Sequence, residues 1–238
     1  MKNNIIFLVI AFLAVSAVPA DAFEFSGAGG FSFGMYSPDL DFLSKKIDQV
    51  TPGFKLSDDP IISWGGFGYA LVSKQVRIGG YGFGGTQTSS STFQTTNNVT
   101  IAQDVTFDYG LGAFYLEYIL PKPHKRIEST LNLGIGGMGC QIRITQLGGV
   151  LSWDEMTGGL DPNNPPEVFQ VSFSNSGFML NPGIGVKYYV LPWMAIEGNV
   201  SYIVSFLRDW NFNNNVVRDM PDVNLNAPQF GLRFIFGG

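Results

Sequence analysis

Apolar and polar residues alternate with a period of two along most of this chain, the repeat of strands with one face against apolar surroundings. The clearest run lies near the C-terminal third, where Phe178, Leu180, Ile184, Val186, Tyr188 and Val190 share one parity and Asn181, Gly183, Gly185 and Lys187 the other. The next run sets Met194, Ile196, Val200, Tyr202, Val204 and Phe206 against Glu197, Asn199, Ser201 and Ser205. Near the start, Phe23, Phe25, Phe31, Phe33 and Met35 oppose Glu24, Ser26, Ala28, Gly30 and Ser32. Eight such segments are predicted: 23–36, 61–72, 75–86, 103–119, 126–144, 176–190, 193–208 and 226–236. Two of them change parity midway, around Gly79-Gly80 and Gly136-Gly137, and a glycine-centred β-bulge in each would restore one outer face. In the fourth segment the position of the parity change is not fixed by the pattern. A short helix is expected over 39–50.

The connections alternate in length. Long ones run from Ser37 to Pro60, from Gln87 to Ala102, near Gln146 to Asn175, and from Asp209 to Leu225. Short ones are Ser73-Lys74, Leu120 to Lys125, and Leu191-Pro192. Long and short connections segregated by side are the signature of a transmembrane barrel, with short periplasmic turns and longer extracellular loops. The fold expected is therefore all-β: an eight-stranded antiparallel up-and-down transmembrane β-barrel.

The first residues support export. Lys2 precedes the apolar run Ile5–Val18, and Ala20-Asp21-Ala22 offers an A-x-A cleavage site, so 1–22 reads as a signal peptide and 23–238 as the barrel domain. That run is too short for a spanning helix, and no later stretch approaches 18 apolar residues. The composition fits curved sheet: 30 glycines and 14% aromatic residues, with only 14% charged. The formal charge of −5 carries no basic footprint for nucleic acid. Cys140 is the single cysteine, so no intrachain disulfide can form.

Chemistry-bearing motifs are few. Gly134-x-Gly136-x-x-Gly139 and Gly80-x-Gly82-x-x-Gly85 imitate a dinucleotide fingerprint, but neither is followed by the helix that would meet a pyrophosphate. Asn98-Val99-Thr100 is read as loop composition. His124, the single histidine, sits between Pro123 and Lys125 in a periplasmic turn, the wrong end for a hydrolase or acyltransferase of the outer face. No histidine or cysteine cluster suits a transition metal, and no loop spaces its carboxylates as a calcium site does. No catalytic residue, cofactor or metal is expected.

Inward charges are more informative. Lys187 and Glu197 flank the turn at Leu191-Pro192 almost symmetrically, so pairing places them opposite each other. Arg233 is expected near Glu24 where the first and last strands close the barrel. Glu117 and Glu128 flank the second short turn. Lone charges in a narrow lumen are costly, so these six are expected to pair or hydrate. A structural plug is favoured over a conduction path, because eight strands enclose little beyond side chains.

The last segment, Gln229-Phe230-Gly231-Leu232-Arg233-Phe234-Ile235-Phe236, resembles the C-terminal signal of bacterial outer-membrane barrels. Gln229, Gly231, Phe234 and Phe236 match its polar residue, glycine and two aromatics, while Gly237 and Gly238 continue past it. The run Gly183–Trp193 is similar to a periplasmic hairpin of OmpA/OmpX-type barrels. The resemblance implies outer-membrane lipids as surroundings and the barrel-assembly machinery as a partner. No peptidoglycan-binding domain is expected after the last strand. Function is then expected in the loops, as a surface-interaction, adhesion or scaffolding role toward an unidentified ligand. Alternatives are a narrow OmpW-like channel for small or hydrophobic solutes and, less favoured, a lipid-modifying enzyme.

Overall fold

The computed structural model describes residues 26–48, 59–94, 100–121, 126–148, 168–212, 215–217 and 224–237. The chain forms strands β1 (Gly27–Tyr36), β2 (Ile61–Ser73), β3 (Val76–Gln94), β4 (Thr100–Ile119), β5 (Ile127–Gly148), β6 (Val168–Leu191) and β7 (Met194–Leu207). A two-residue pair, β8 (Asn211–Phe212) and β9 (Asn215–Val216), precedes the last long strand β10 (Ala227–Gly237). Neighbours in sequence pair antiparallel, β1 pairs with β10, and the β5–β6 ladder completes the circle. The result is a closed, eight-stranded up-and-down antiparallel barrel, with β8–β9 as an appendage at the edge of β6. Closure pairs each strand on both sides within the barrel proper, while β3 beyond Gly85 pairs with β4 alone.

The barrel's turns at 73–76 and 191–194 lie at one end, beside the β1–β10 pair that joins Ala28 to Gly237. At this turn end the outer wall is apolar. Phe31, Phe33, Leu131, Ile184, Val186, Tyr188, Val200, Phe230 and Leu232 are exposed, and Phe114 is 83% accessible. Such a belt cannot face water, whereas the charged interior it encloses would be unremarkable there.

The far end reverses this polarity. In β4 the same inward parity that carries Glu117 near the turns carries Leu111, Tyr109, Phe107 and Val105 farther along, all buried. Its outward parity runs from Tyr118, Leu116 and Phe114 to Asp108, Thr106 and Asp104. No change of backbone orientation occurs, so the fourth strand's apparent parity break is a change of environment. The same correction applies to the bulges expected at Gly79-Gly80 and Gly136-Gly137. The ladders run through both without a register shift. Tyr81 is buried inside the barrel, and so are Met138, Cys140 and Ile142.

The expected loops from Gln87 to Ala102 and from Gln146 to Asn175 are corrected likewise. Gln87 to Gln94 continues β3, paired through Gln94 with Thr100, and β5 and β6 remain paired out to Leu147 and Val168. Residues 95–99 and 149–167 lie outside the described set. These extensions hold because every second residue has an apolar interior to enter. Val105, Phe107, Ile142, Met179, Ile203, Trp210 and Leu225 belong to one buried cluster. The Ser and Thr residues between them form hydroxyl rungs on the outside, such as Thr86 Oγ1 donating to Asp108 Oδ1 at 2.7 Å and Thr88 beside Thr106 at 3.2 Å. Threonine is a good strand former when its other face is packed.

The expected helix is present as α1 (Asp41–Asp48). Asp39 Oδ1 accepts the Asp41 N–H at 3.0 Å, a side-chain cap of the first turn. Leu40 and Leu43 join the far-end cluster, so α1 lies over that end of the lumen as part of its apolar filling.

Candidate functional site

The lumen near the turns holds a layer of buried charge. Register places Arg233 opposite Glu197, Glu197 opposite Lys187, and Lys187 opposite Glu128, a line of alternating sign across β10, β7, β6 and β5. Arg77 lies opposite Glu117 on β3 and β4. The expected Lys187–Glu197 pairing is present, with Nζ to Oε2 at 3.7 Å. Lys187 Nζ also stands 3.5 Å from Glu128 Oε1 and 3.8 Å from Glu117 Oε1. Arg233 Nη1 donates to Glu197 Oε1 at 2.9 Å. Glu24, its expected partner, lies outside the described residues, so Glu197 is the carboxylate the structure gives it.

Arg77 is the member the sequence reading missed. Its Nη1 lies 2.6 Å from Glu117 Oε1 and 2.5 Å from Glu128 Oε1, joining two carboxylates from different strands. The signal was available: Arg77 falls between Val76 and Ile78 on the parity opposite exposed Ile78, and it is the one cation in β3. The assumed bulge hid it by making that parity ambiguous.

All six groups are at least nine-tenths buried, Lys187 completely. Among the described residues three cations face three carboxylates, so these six charges balance. Aromatic rings complete it. The Tyr69 ring lies 4.9 Å from both the Arg77 guanidinium and Lys187 Nζ, and Phe67 lies 5.2 Å from the Arg233 guanidinium. Cations over ring faces gain most when desolvated, as here. The crowding demands glycine beside the inward side chains. A Cβ on Gly134 would meet Tyr81 Oη at 2.1 Å, and one on Gly231 would meet Asn199 Oδ1 at 2.0 Å.

The four residues whose pattern resembles a C-terminal assembly signal divide by face. Gln229 and Gly231 point inward, where Gln229 Oε1 accepts from Ser201 Oγ at 3.3 Å. Phe234 and Phe236 point outward beside Phe31, whose ring centroid is 5.2 and 5.9 Å from theirs. Both glycine fingerprints lie within paired strands, the context a nucleotide site does not use. His124 and Asn98 lie outside the described residues.

One irregularity marks the outer wall. The β6–β7 ladder omits Asn181 and Pro182 and resumes in the same register at Gly183. Proline has no N–H to give a ladder, and a closed barrel has no edge on which to hide it. An apolar groove of about 480 Å³ opens there, between Leu131, Leu133, Pro182, Ile184, Val200 and Tyr202.

A closed eight-stranded sheet with an apolar belt outside and paired charges inside is a transmembrane barrel. Its connectivity is up-and-down throughout, each strand paired antiparallel with its neighbour in sequence. No family model matches the chain, and no curated protein does. Among solved structures it is similar to OprG from Pseudomonas aeruginosa, at 12% identity over 90% of this chain and 95% of that one, with a TM-score of 0.44. It is also similar to Ail, the attachment invasion locus protein of Yersinia pestis, at 14% identity over 89% and 97%, with a TM-score of 0.38. The N-terminal barrel domain of Pseudomonas aeruginosa OprF covers 92% of this chain and 100% of that one, at 10% identity and a TM-score of 0.38.

Proposed function

We infer that this protein is a non-enzymatic barrel of the bacterial outer membrane whose role is surface interaction, carried by the wall that stands beyond the apolar belt. One observation carries this reading: β3 to β6 continue past the belt as paired strands, polar outside and packed with apolar side chains inside. A segment that merely linked two spans would need no core of its own. The extension presents a stiff, hydroxyl-rich surface, and binding surfaces on rigid elements lose less entropy on association than mobile loops do. Its outer face includes the Thr86–Asp108 and Thr88–Thr106 rungs, with Arg143 Nη2 3.9 Å from Asp108 Oδ2. Outer-membrane lipids would surround the belt, and the barrel-assembly machinery would read the C-terminal strand.

The test is a whole-cell binding screen against host and bacterial surface polymers, comparing wild type with a variant carrying Thr88→Lys, Thr106→Lys and Gln141→Lys. These side chains face out, so the barrel should assemble normally while captured ligand is lost. Unchanged binding by a correctly inserted variant would remove the role from this wall.

A second reading, a conduit for hydrophobic solutes, is favoured by the groove at Pro182 alone. The filled lumen counts against it, so conductance of the wild type in planar bilayers should stay near baseline. Sustained single-channel currents would reverse the order of the two readings.

For assembly, the outward aromatics of β10 should matter more than those elsewhere in the belt. Phe236→Ala is expected to lower the outer-membrane yield several-fold relative to Phe206→Ala, measured as the heat-modifiable band on unboiled gels. Equal yields would detach Phe236 from recognition.

A further inference from the structure

Between the ionic layer and the apolar far end, a small, partly enclosed cavity of about 10 Å³ lies in the barrel, where Ser32, Ser63, Asn199, Gln229, Gly231 and Arg233 meet Phe33, Gly34 and Phe83. Four polar atoms of these residues make no hydrogen bond of ordinary geometry within the protein, Ser32 Oγ, Ser63 Oγ, Asn199 Oδ1 and Arg233 Nε, with the Tyr109 hydroxyl near enough to Ser63 to compete for it. They come from four different strands, β1, β2, β7 and β10. Leaving even one such group unsatisfied in a buried site costs about 1–3 kcal/mol, so their convergence on one cavity calls for a shared partner.

We propose that this cavity is a built site for a single water molecule, held as part of the folded barrel. The donor set selects it. Arg233 Nε can only donate, Asn199 Oδ1 can only accept, and the two hydroxyls can do either. Water offers two donors and two acceptors and fits all four. An anion would meet the Asn199 carbonyl oxygen, and a cation would meet the Arg233 guanidinium, so neither suits the set. The size agrees, since roughly 10–15 Å³ of accessible space holds one water, and buried waters typically make about three hydrogen bonds.

The site gives the C-terminal strand a second duty. Gly231 leaves the space that Asn199 Oδ1 occupies, because a Cβ there would come within 2.0 Å of it. Gly34 does the same for Ser63 Oγ, at 3.0 Å. The inward half of the signal, Gln229 and Gly231, thus shapes the lumen, while Phe234 and Phe236 face the belt. The bound water would steady Arg233 from its Nε side while Glu197 holds Nη1.

A crystal structure of the whole refolded barrel at a resolution that orders solvent, from crystals soaked in bromide, tests this directly. One water within hydrogen-bond distance of at least three of the four atoms is expected, with no anomalous bromide signal in the cavity. A dry cavity, with the Ser63 hydroxyl turned instead to neighbouring Tyr109, would overturn the proposal, and so would a bromide peak. A double-mutant cycle gives an independent reading. If the serines share a water, Ser32→Ala and Ser63→Ala each lower the urea midpoint, and the double variant falls no further than the worse single one. Additive losses would mean that the two hydroxyls have no common partner.

Discussion

Replacing Arg77 by Met is expected to cost this barrel more than removing any other charge in the lumen. The guanidinium lies within 2.6 Å of Glu117 and 2.5 Å of Glu128, and both carboxylates are buried. Arg77→Met therefore strands two negative charges, with Lys187 left to serve three carboxylates at 3.5 to 3.8 Å. Breaking a buried pair from one side typically costs about 3–5 kcal/mol, and the loss here should reach at least the upper part of that range. Neutralising one of the two carboxylates along with Arg77 should recover most of it, because a buried ion pair replaced as a unit is often nearly neutral. The double variant Arg77→Met, Glu117→Gln, which leaves two cations facing two carboxylates, should thus unfold in urea well above the single variant. A single variant as stable as wild type would mean that water already solvates the layer.

The second large effect is steric. Gly134→Val puts a branched side chain where the Tyr81 hydroxyl already stands, 2.1 Å from the position of a Cβ. Tyr81 cannot withdraw easily, because its hydroxyl accepts from Asn181 Nδ2 at 2.9 Å and its ring stacks on Phe83 at 4.9 Å. Overpacking of a closed interior costs about 1–3 kcal/mol or more, and in a barrel the strain opposes ring closure itself. Gly134→Val should therefore leave little heat-modifiable protein. Tyr81→Ala in the same chain should restore part of it by vacating the space. A Gly134→Val barrel that folds normally would show that Tyr81 has another place to go. Gly137→Ala supplies the control: its Cβ would meet nothing closer than a backbone oxygen at 3.6 Å, so it should be silent.

Strand number, connectivity and the outer face of the belt were readable from the sequence because one environment acts along the turn-end halves of β1, β6, β7 and β10. There, period-two alternation maps onto lipid outside and polar lumen inside. The far half was not readable by the same rule. In β4 and β5 the inner face passes from charged to apolar and the outer face from apolar to hydroxylic, which in a list of residues looks like a slip of register. Val105, Phe107, Ile142 and Ile144, at every second position, were the sign that the Ser- and Thr-rich stretches were strand. The charge layer was legible at Lys187 and Glu197, whose spacing about a tight turn fixes their pairing. It was not legible at Arg77–Glu128, a contact across the lumen between strands that do not pair, which depends on the stagger of a closed barrel.

In the proposed orientation an apolar belt crosses the outer membrane while the far half of the same sheet stands outside the cell. Cysteine accessibility tests it in one experiment, since Cys140 is buried and should remain silent. Single cysteines at Thr88, Thr106 and Ser174 on the far wall, and at Phe33, Val200 and Leu232 in the belt, would be treated on intact cells with a membrane-impermeant maleimide. The far-wall positions should label fully without lysis, and the belt positions should stay unlabelled even in isolated membranes. Labelling of the belt, or far-wall positions that react only after the cells are broken, would contradict the span and its orientation.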